Sequence, residues 1–277
     1  SFVMKAIEKA GKRIRAAGKS AGINVVEMPT SMEKPKAPPT NNRMALFGSL
    51  FGPNLEAGKY DVKVIKGKDT FNSSFTLVND PASVYSDAER KAQRETTMKL
   101  YGMSESLAYI YHVFGDIEKK AGAITGTKGK LKKTIDLLIQ KAKTGKDTLV
   151  ALGGDFYIDE DERLGERISD LYRQVSSYPG QPSASQSLRT GKLEAEMTVL
   201  QKRFDAFLSK DLAEANKALV AAKLTPITFN TFEAFKATDS GGSSKDGGQL
   251  YVDDNLMYKG LTRSALGQFW FLSWSNL

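Results

Sequence analysis

Asp159-Glu160-Asp161-Glu162 is the densest group of carboxylates in the chain. A calcium loop would alternate its carboxylates, turn on a glycine and end on a distal glutamate, and that pattern is missing here. A carboxylate pair can cleave a glycosidic bond when a cleft holds the two at a fixed separation, which four consecutive residues do not define. Acids favour a helix N-terminus through its dipole, so the cluster is expected to mark a helix start. His112 is the only histidine. It cannot build a histidine-based metal site, and no nucleophile signature accompanies it. Residues 121–130 carry Gly122, Gly126 and Lys128 in the manner of a phosphate loop. The Gly-Lys-Ser/Thr ending is absent, because Leu131 follows Gly129-Lys130, so a plain interhelical loop is expected. Asn72-Ser73-Ser74 fits a glycosylation sequon, a match frequent by chance. The chain has no cysteine, which excludes disulfides, thiolate catalysis and cysteine-based zinc sites. No nucleophile–base pair or ligand set emerges, so the chain is expected to be non-catalytic, with no cofactor and no metal.

The elements that would position any site begin with strands. Phe2 to Ile7 and Arg13 to Arg15 flank a turn at Ala10-Gly11-Lys12, and Ile23 to Met28 reads as a third strand. Pro29, Pro35, Pro38 and Pro39 lie among Lys, Thr and Asn over residues 29–45, and proline removes ladder donors, so a loop or an edge is expected there. Strands return at 59–66 and 70–78. Tyr60, Val62 and Val64 alternate with Asp61 and Lys63, as a half-buried strand requires. Together these strands predict a small antiparallel β-sandwich of the immunoglobulin or fibronectin type III kind over residues 1–80.

Helices follow. Ser86-Asp87-Ala88-Glu89 reads as a capping box. Behind it Leu100, Met103, Leu107, Ile110, Phe114 and Ile117 alternate steps of three and four residues, the seam of a bundle helix. A second helix carries Leu131, Ile135 and Leu138 and breaks near Thr144-Gly145-Lys146-Asp147. Asp159 to Ser176 carries Leu164, Ile168, Leu171, Tyr172 and Val175. A last long helix carries Leu193, Met197, Leu200, Phe204, Phe207 or Leu208, Leu212 and Leu219 before Pro226. Short connections predict an antiparallel bundle of three to four helices over residues 81–236, giving an α+β chain.

Residues 237–277 form a Gly/Ser linker and an aromatic tail that holds both tryptophans. Phe269, Trp270, Phe271 and Trp274 would dock back on the protein, bind a partner, or be foreign to the fold. Aromatic residues are enriched at interface cores, which makes these four the candidate partner-binding residues.

The chain has 277 residues, a formal net charge of +8 and 40% hydrophobic residues, enough for one or two cored domains. Lysines and acids are interspersed. A basic stripe with interleaved aromatics is not visible, so no nucleic-acid partner is expected. No apolar run approaches the roughly 20 residues of a membrane span. No signal peptide is visible at Ser1, and the opening at Phe2-Val3-Met4-Lys5-Ala6-Ile7 reads as mid-strand, so a fragment or processed form of something longer is expected.

Three segments carry a family resemblance. They are Ala10-Gly11-Lys12-Arg13-Ile14-Arg15, then Ala21-Gly22-Ile23-Asn24-Val25-Val26, and Ala57-Gly58-Lys59-Tyr60-Asp61-Val62 through Phe75-Thr76-Leu77, followed by a helical part after Asp80-Pro81. Over residues 2–236 the chain resembles the C-terminal region of secreted bacterial sortilin-like or BNR/Asp-box β-propeller proteins, some of them described as glycosyl hydrolases. Two departures stand out: Glu27-Met28-Pro29-Thr30 replaces the aromatic and arginine that often follow the third strand, and the Asp-box repeats are absent. The resemblance implies a secreted, cell-surface or periplasmic accessory module that braces a propeller or docks a partner. The alternative is a stand-alone subunit of a bacterial envelope assembly, anchored by its aromatic tail.

Overall fold

The computed structural model describes residues 2–8 and 11–16 through their backbone, and residues 30–40, 51–66, 68–152 and 162–237. Residues 1–236 form one compact unit, separate from 237–277.

Four strands, β1 (Phe2–Glu8), β2 (Gly11–Ala16), β3 (Gly58–Lys66) and β4 (Asp69–Leu77), make one antiparallel sheet in the order β2-β1-β3-β4. This corrects the expected sandwich. The two hairpins do not face each other as layers. They join edge to edge, with Phe2 opposite Lys66 and Ile7 opposite Asp61, so all four strands are consumed in a single sheet. The expected third strand, Ile23 to Met28, lies outside the described residues.

Between the hairpins the described residues supply no second sheet, only an isolated bridge of Ser31 with Asn54. With three of their backbone positions unable to donate, residues 30–40 run as an extended strap along the helices. Pro35 is buried, and the Ser104 hydroxyl donates to the Lys36 carbonyl at 3.1 Å. A second run, residues 51–57, is clipped to it. The Met32 amide donates to the Pro53 carbonyl at 2.6 Å and the Leu55 amide to the Thr30 carbonyl at 2.8 Å. Gly52 permits this approach, since a Cβ there would stand 2.0 Å from the Met32 carbonyl oxygen.

The bundle is built around α1 (Asp87–Gly122). Its N-terminus is the expected capping box: the Ser86 hydroxyl accepts from the Glu89 amide at 3.3 Å, and Glu89 Oε2 accepts from the Ser86 amide at 2.8 Å. Leu100, Leu107, Ile110, Val113 and Ile117 are buried along its seam. Against α1 pack α2 (Gly129–Asp147), α3 (Leu164–Ser176) and α4 (Ala184–Ala206). Helix α3 starts two residues beyond Glu162, whereas Asp159, Glu160 and Asp161 lie outside the described residues.

Helix α4 continues through a π-helical turn, Phe207–Leu212, into α5 (Ala213–Ala221). The reason lies in the spacing of the core. Phe207 and Leu212 are both buried, and a five-residue step does not return to one face of an α-helix. The wider turn absorbs the mismatch and carries the core on through Ala215 and Leu219. Phe207 fills the inner position because its ring meets Phe114 at 5.0 Å, and Phe114 meets Phe204 at 5.4 Å. Leu208 is left at the margin of the core. Helix α5 ends on Lys223 at φ 59°, with the Leu224 amide bonded to the Leu219 carbonyl and the Lys223 amide to that of Val220. This is a Schellman ending with lysine where glycine is usual. The short helix α6 (Phe232–Ala237) then places Phe232 and Phe235 at 5.3 and 5.7 Å from Tyr109.

Candidate functional site

Two clefts and one open face among the described residues are candidate places for meeting another molecule. The larger cleft, about 760 Å³, lies where the end of β4, the strap and the end of α3 converge on the first turns of α1. Its charged groups are largely committed to holding those elements together. Arg94 donates to the Asn54 carbonyl at 2.5 Å and to the Met32 sulfur at 3.0 Å, Arg90 donates to the Ser83 hydroxyl, and Asp80 accepts from the Ala82 amide at 2.9 Å. Thr97, also on its wall, keeps a buried hydroxyl with no hydrogen-bond partner among the described residues.

The smaller cleft, about 450 Å³, lies between Pro38 and Pro39 of the strap and Tyr111, His112 and Gly115 of α1. His112 is exposed, with its ring 5.2 Å from that of Phe235, and so is a surface histidine. The Lys36 ammonium stands over the same Phe235 ring at 4.7 Å and donates to the Phe235 carbonyl, which ties strap to α6. Burial pushes the Tyr111 hydroxyl above the usual phenol range.

Sequence reasoning passed over Glu166, the one carboxylate fully buried among the described residues. Its Oε1 accepts from the Thr40 hydroxyl at 3.0 Å and the Ala151 amide at 3.2 Å, and its Oε2 accepts from the Arg163 amide at 3.2 Å. Burial raises its pKa, and these hydrogen bonds oppose the rise. The group is a knot that joins the strap, the segment after α2 and the start of α3. Arginine has no acceptor to cap a helix, so Arg163-x-x-Glu166 gave no capping signal in the sequence. Tyr172 makes a similar tie, donating to the Phe51 carbonyl at 3.0 Å.

The open face belongs to the sheet. The register pairs Tyr60 with Phe75, Val62 with Ser73 and Val64 with Phe71, so these side chains share one face. The Tyr60 and Phe75 rings stack at 5.4 Å, yet Phe75 is 42% exposed and Phe71 57% exposed. The opposite face carries Lys59, Asp61, Lys63, Asn72 and Ser74. The alternation was legible in the sequence, but the exposure of Phe71 and Phe75 was not.

The expected partner residues Phe269, Trp270, Phe271 and Trp274 lie outside the described residues. Residues 123–128 form the interhelical loop expected of that stretch. Among the described residues no group of three His, Cys, Asp or Glu side chains could hold a metal ion, and no helix is long and apolar enough to cross a membrane. No family model, no curated protein and no solved structure matches this chain.

Proposed function

We propose that the chain is a non-catalytic accessory module of a larger secreted or cell-surface bacterial β-propeller protein, which it braces through the apolar face of its sheet. The observation that carries this reading is the exposed pair Phe71 and Phe75, in line with Tyr60, Val62 and Val64 on one side of β3 and β4. Antiparallel sheets ordinarily bury one face, and the alternation here is that of a sheet built to be covered on that side. The bundle, in contrast, completes its own core, with Leu100, Leu107, Ile117, Leu138, Leu171 and Leu219 wholly buried. A module with one closed body and one open apolar face is suited to docking, and the resemblance to the region following a β-propeller supplies the partner.

Two measurements test it. The intact mass of the protein from its natural source should lie far above 30.3 kDa, with Asp-box peptides mapping upstream of Ser1. A mass near 30.3 kDa would refute the reading. The double variant Phe71→Ser/Phe75→Ser should cost the isolated chain only about 1–2 kcal/mol, from the lost Tyr60–Phe75 stack and strand propensity, and leave it folded. The same variant should abolish association with the propeller region. A large loss of stability with association intact would show the face to be internal core instead.

A further inference from the structure

We infer that the end of the bundle formed by the α1–α2 turn is a surface for anionic phospholipid membranes. Six lysines meet there within 15 residues: Lys119 and Lys120 in the last turn of α1, Lys128 at the cap of α2, and Lys130, Lys132 and Lys133 in its first turns. All six are exposed. Lys120 is paired with Asp116 and Lys132 with Asp136, each at 2.8 Å. The ammonium groups of Lys119, Lys128, Lys130 and Lys133 make no ion pair and no hydrogen bond among the described residues. Elsewhere in the bundle some cations are engaged, as in Lys99–Glu194, Lys141–Asp211, Lys146–Glu118 and Arg167–Glu196, and others, such as Lys192, Lys202, Lys210 and Lys217, are spread along the helices. Residues 119–133 hold no acid, and the helical hairpin brings this run of lysines to one end of the bundle.

Lys119 and Lys120 suit the C-terminal dipole of α1, but Lys128, Lys130 and Lys133 do not serve the start of α2. The first turn of α2 holds no acid, and its cap makes no side-chain hydrogen bond. Lysines at that end oppose the helix dipole. A local electrostatic rule broken without a compensating contact is a mark of function.

The chemistry of the patch selects the partner. Its cations are all lysine, compact point charges without the planar fork that reads bases or grips single phosphates. The stretch from Lys119 to Lys133 holds no aromatic residue on which a base could stack. Gly122, Gly126 and Gly129 are exposed at the turn beside these lysines. Four to eight basic residues close together are what an anionic lipid surface attracts.

The test uses the whole 277-residue chain and sedimentation with vesicles of phosphatidylcholine alone, or with phosphatidylglycerol at two to one. The wild-type chain should bind only the anionic vesicles, and more weakly as salt shortens the screening length. Each lysine near such a surface contributes about fivefold, so Lys119→Gln/Lys128→Gln/Lys130→Gln/Lys133→Gln should weaken binding by a few hundredfold. A control, Lys192→Gln/Lys202→Gln/Lys210→Gln/Lys217→Gln, removes the same charge from α4, the π-helical turn and α5 and should retain most of the affinity. Circular dichroism confirms that both variants fold. Equal losses in the two variants, equal binding to neutral vesicles, no vesicle binding, or tighter retention by duplex DNA than by the anionic vesicles would each overturn the inference.

Discussion

Gly145 and Gly115 are both helical glycines at the α1–α2 contact, and the structure predicts opposite outcomes for the same substitution. Replacing an interior helical glycine by alanine gains up to about 1 kcal/mol of helix propensity. At Gly115 the new methyl would find only Lys146 Cδ, at 3.8 Å, which is ordinary contact with the end of a flexible chain. Gly115→Ala is therefore expected to stabilise by about 0.5 to 1 kcal/mol. At Gly145 the methyl would stand 2.7 Å from Phe114 Cζ and 2.8 Å from Cε1, well inside the ~3.5–4.0 Å at which carbons attract. The ring cannot simply retreat, because Phe204 and Phe207 hold it from other sides. Overpacking of this kind costs about 1–3 kcal/mol, so Gly145→Ala should show a net loss of about 1 to 2 kcal/mol. Urea unfolding followed by far-UV circular dichroism reads both, with unchanged slopes expected. Adding Phe114→Leu should shrink the Gly145→Ala penalty, a coupling that a double-mutant cycle isolates. A Gly145→Ala protein as stable as the Gly115→Ala protein would refute the close packing of α2 on the Phe114 ring.

Two further outcomes follow from single residues. Lys223 occupies the left-handed position of the α5 ending, which costs a side-chain-bearing residue about 1 kcal/mol, so Lys223→Gly should raise the melting temperature by about 2–4 °C. A lower melting temperature would argue against that ending. Glu166 has its folded pKa raised by burial, so the folded state binds more protons than the unfolded one between the unfolded value near ~4.3 and the folded value. Its contribution to stability is therefore fullest below that unfolded value and declines as pH rises through the raised one. Glu166→Gln should remove this decline, and urea titrations across that window compare the two proteins. A wild-type advantage that grows with pH would contradict the assignment.

What the sequence disclosed and what it withheld divide along physical lines. The α1 seam and its Ser86 cap were legible because periodicity and capping are local. The choice between Phe207 and Leu208 was not, since it depends on the Phe114 ring from another helix, and only the π-helical turn reconciles Phe207 with Leu212. Four of the five expected strands were legible, but their assembly was not: the same alternation serves a sandwich and a single sheet, and edge pairing of β1 with β3 decides. The open face of Phe71 and Phe75 and the Glu166 knot depend on what lies opposite, which no window of sequence contains.

The strap also bears on how the molecule comes together and apart. Its bonds to the bundle join residues far apart in sequence, 68 positions for Ser104 to Lys36 and 126 for Thr40 to Glu166, and the run clipped to it adds 121 for Tyr172 to Phe51. The helical hairpin of α1 and α2 closes over a loop of a few residues. Loop-closure entropy makes the near contacts form first and the distant ones last. The strap thus fastens onto a bundle that already exists, and weakening it should hasten unfolding while leaving the folding rate nearly unchanged. In kinetic terms the strap sets the lifetime of the folded unit, and the hairpin beneath it sets the time the unit takes to form.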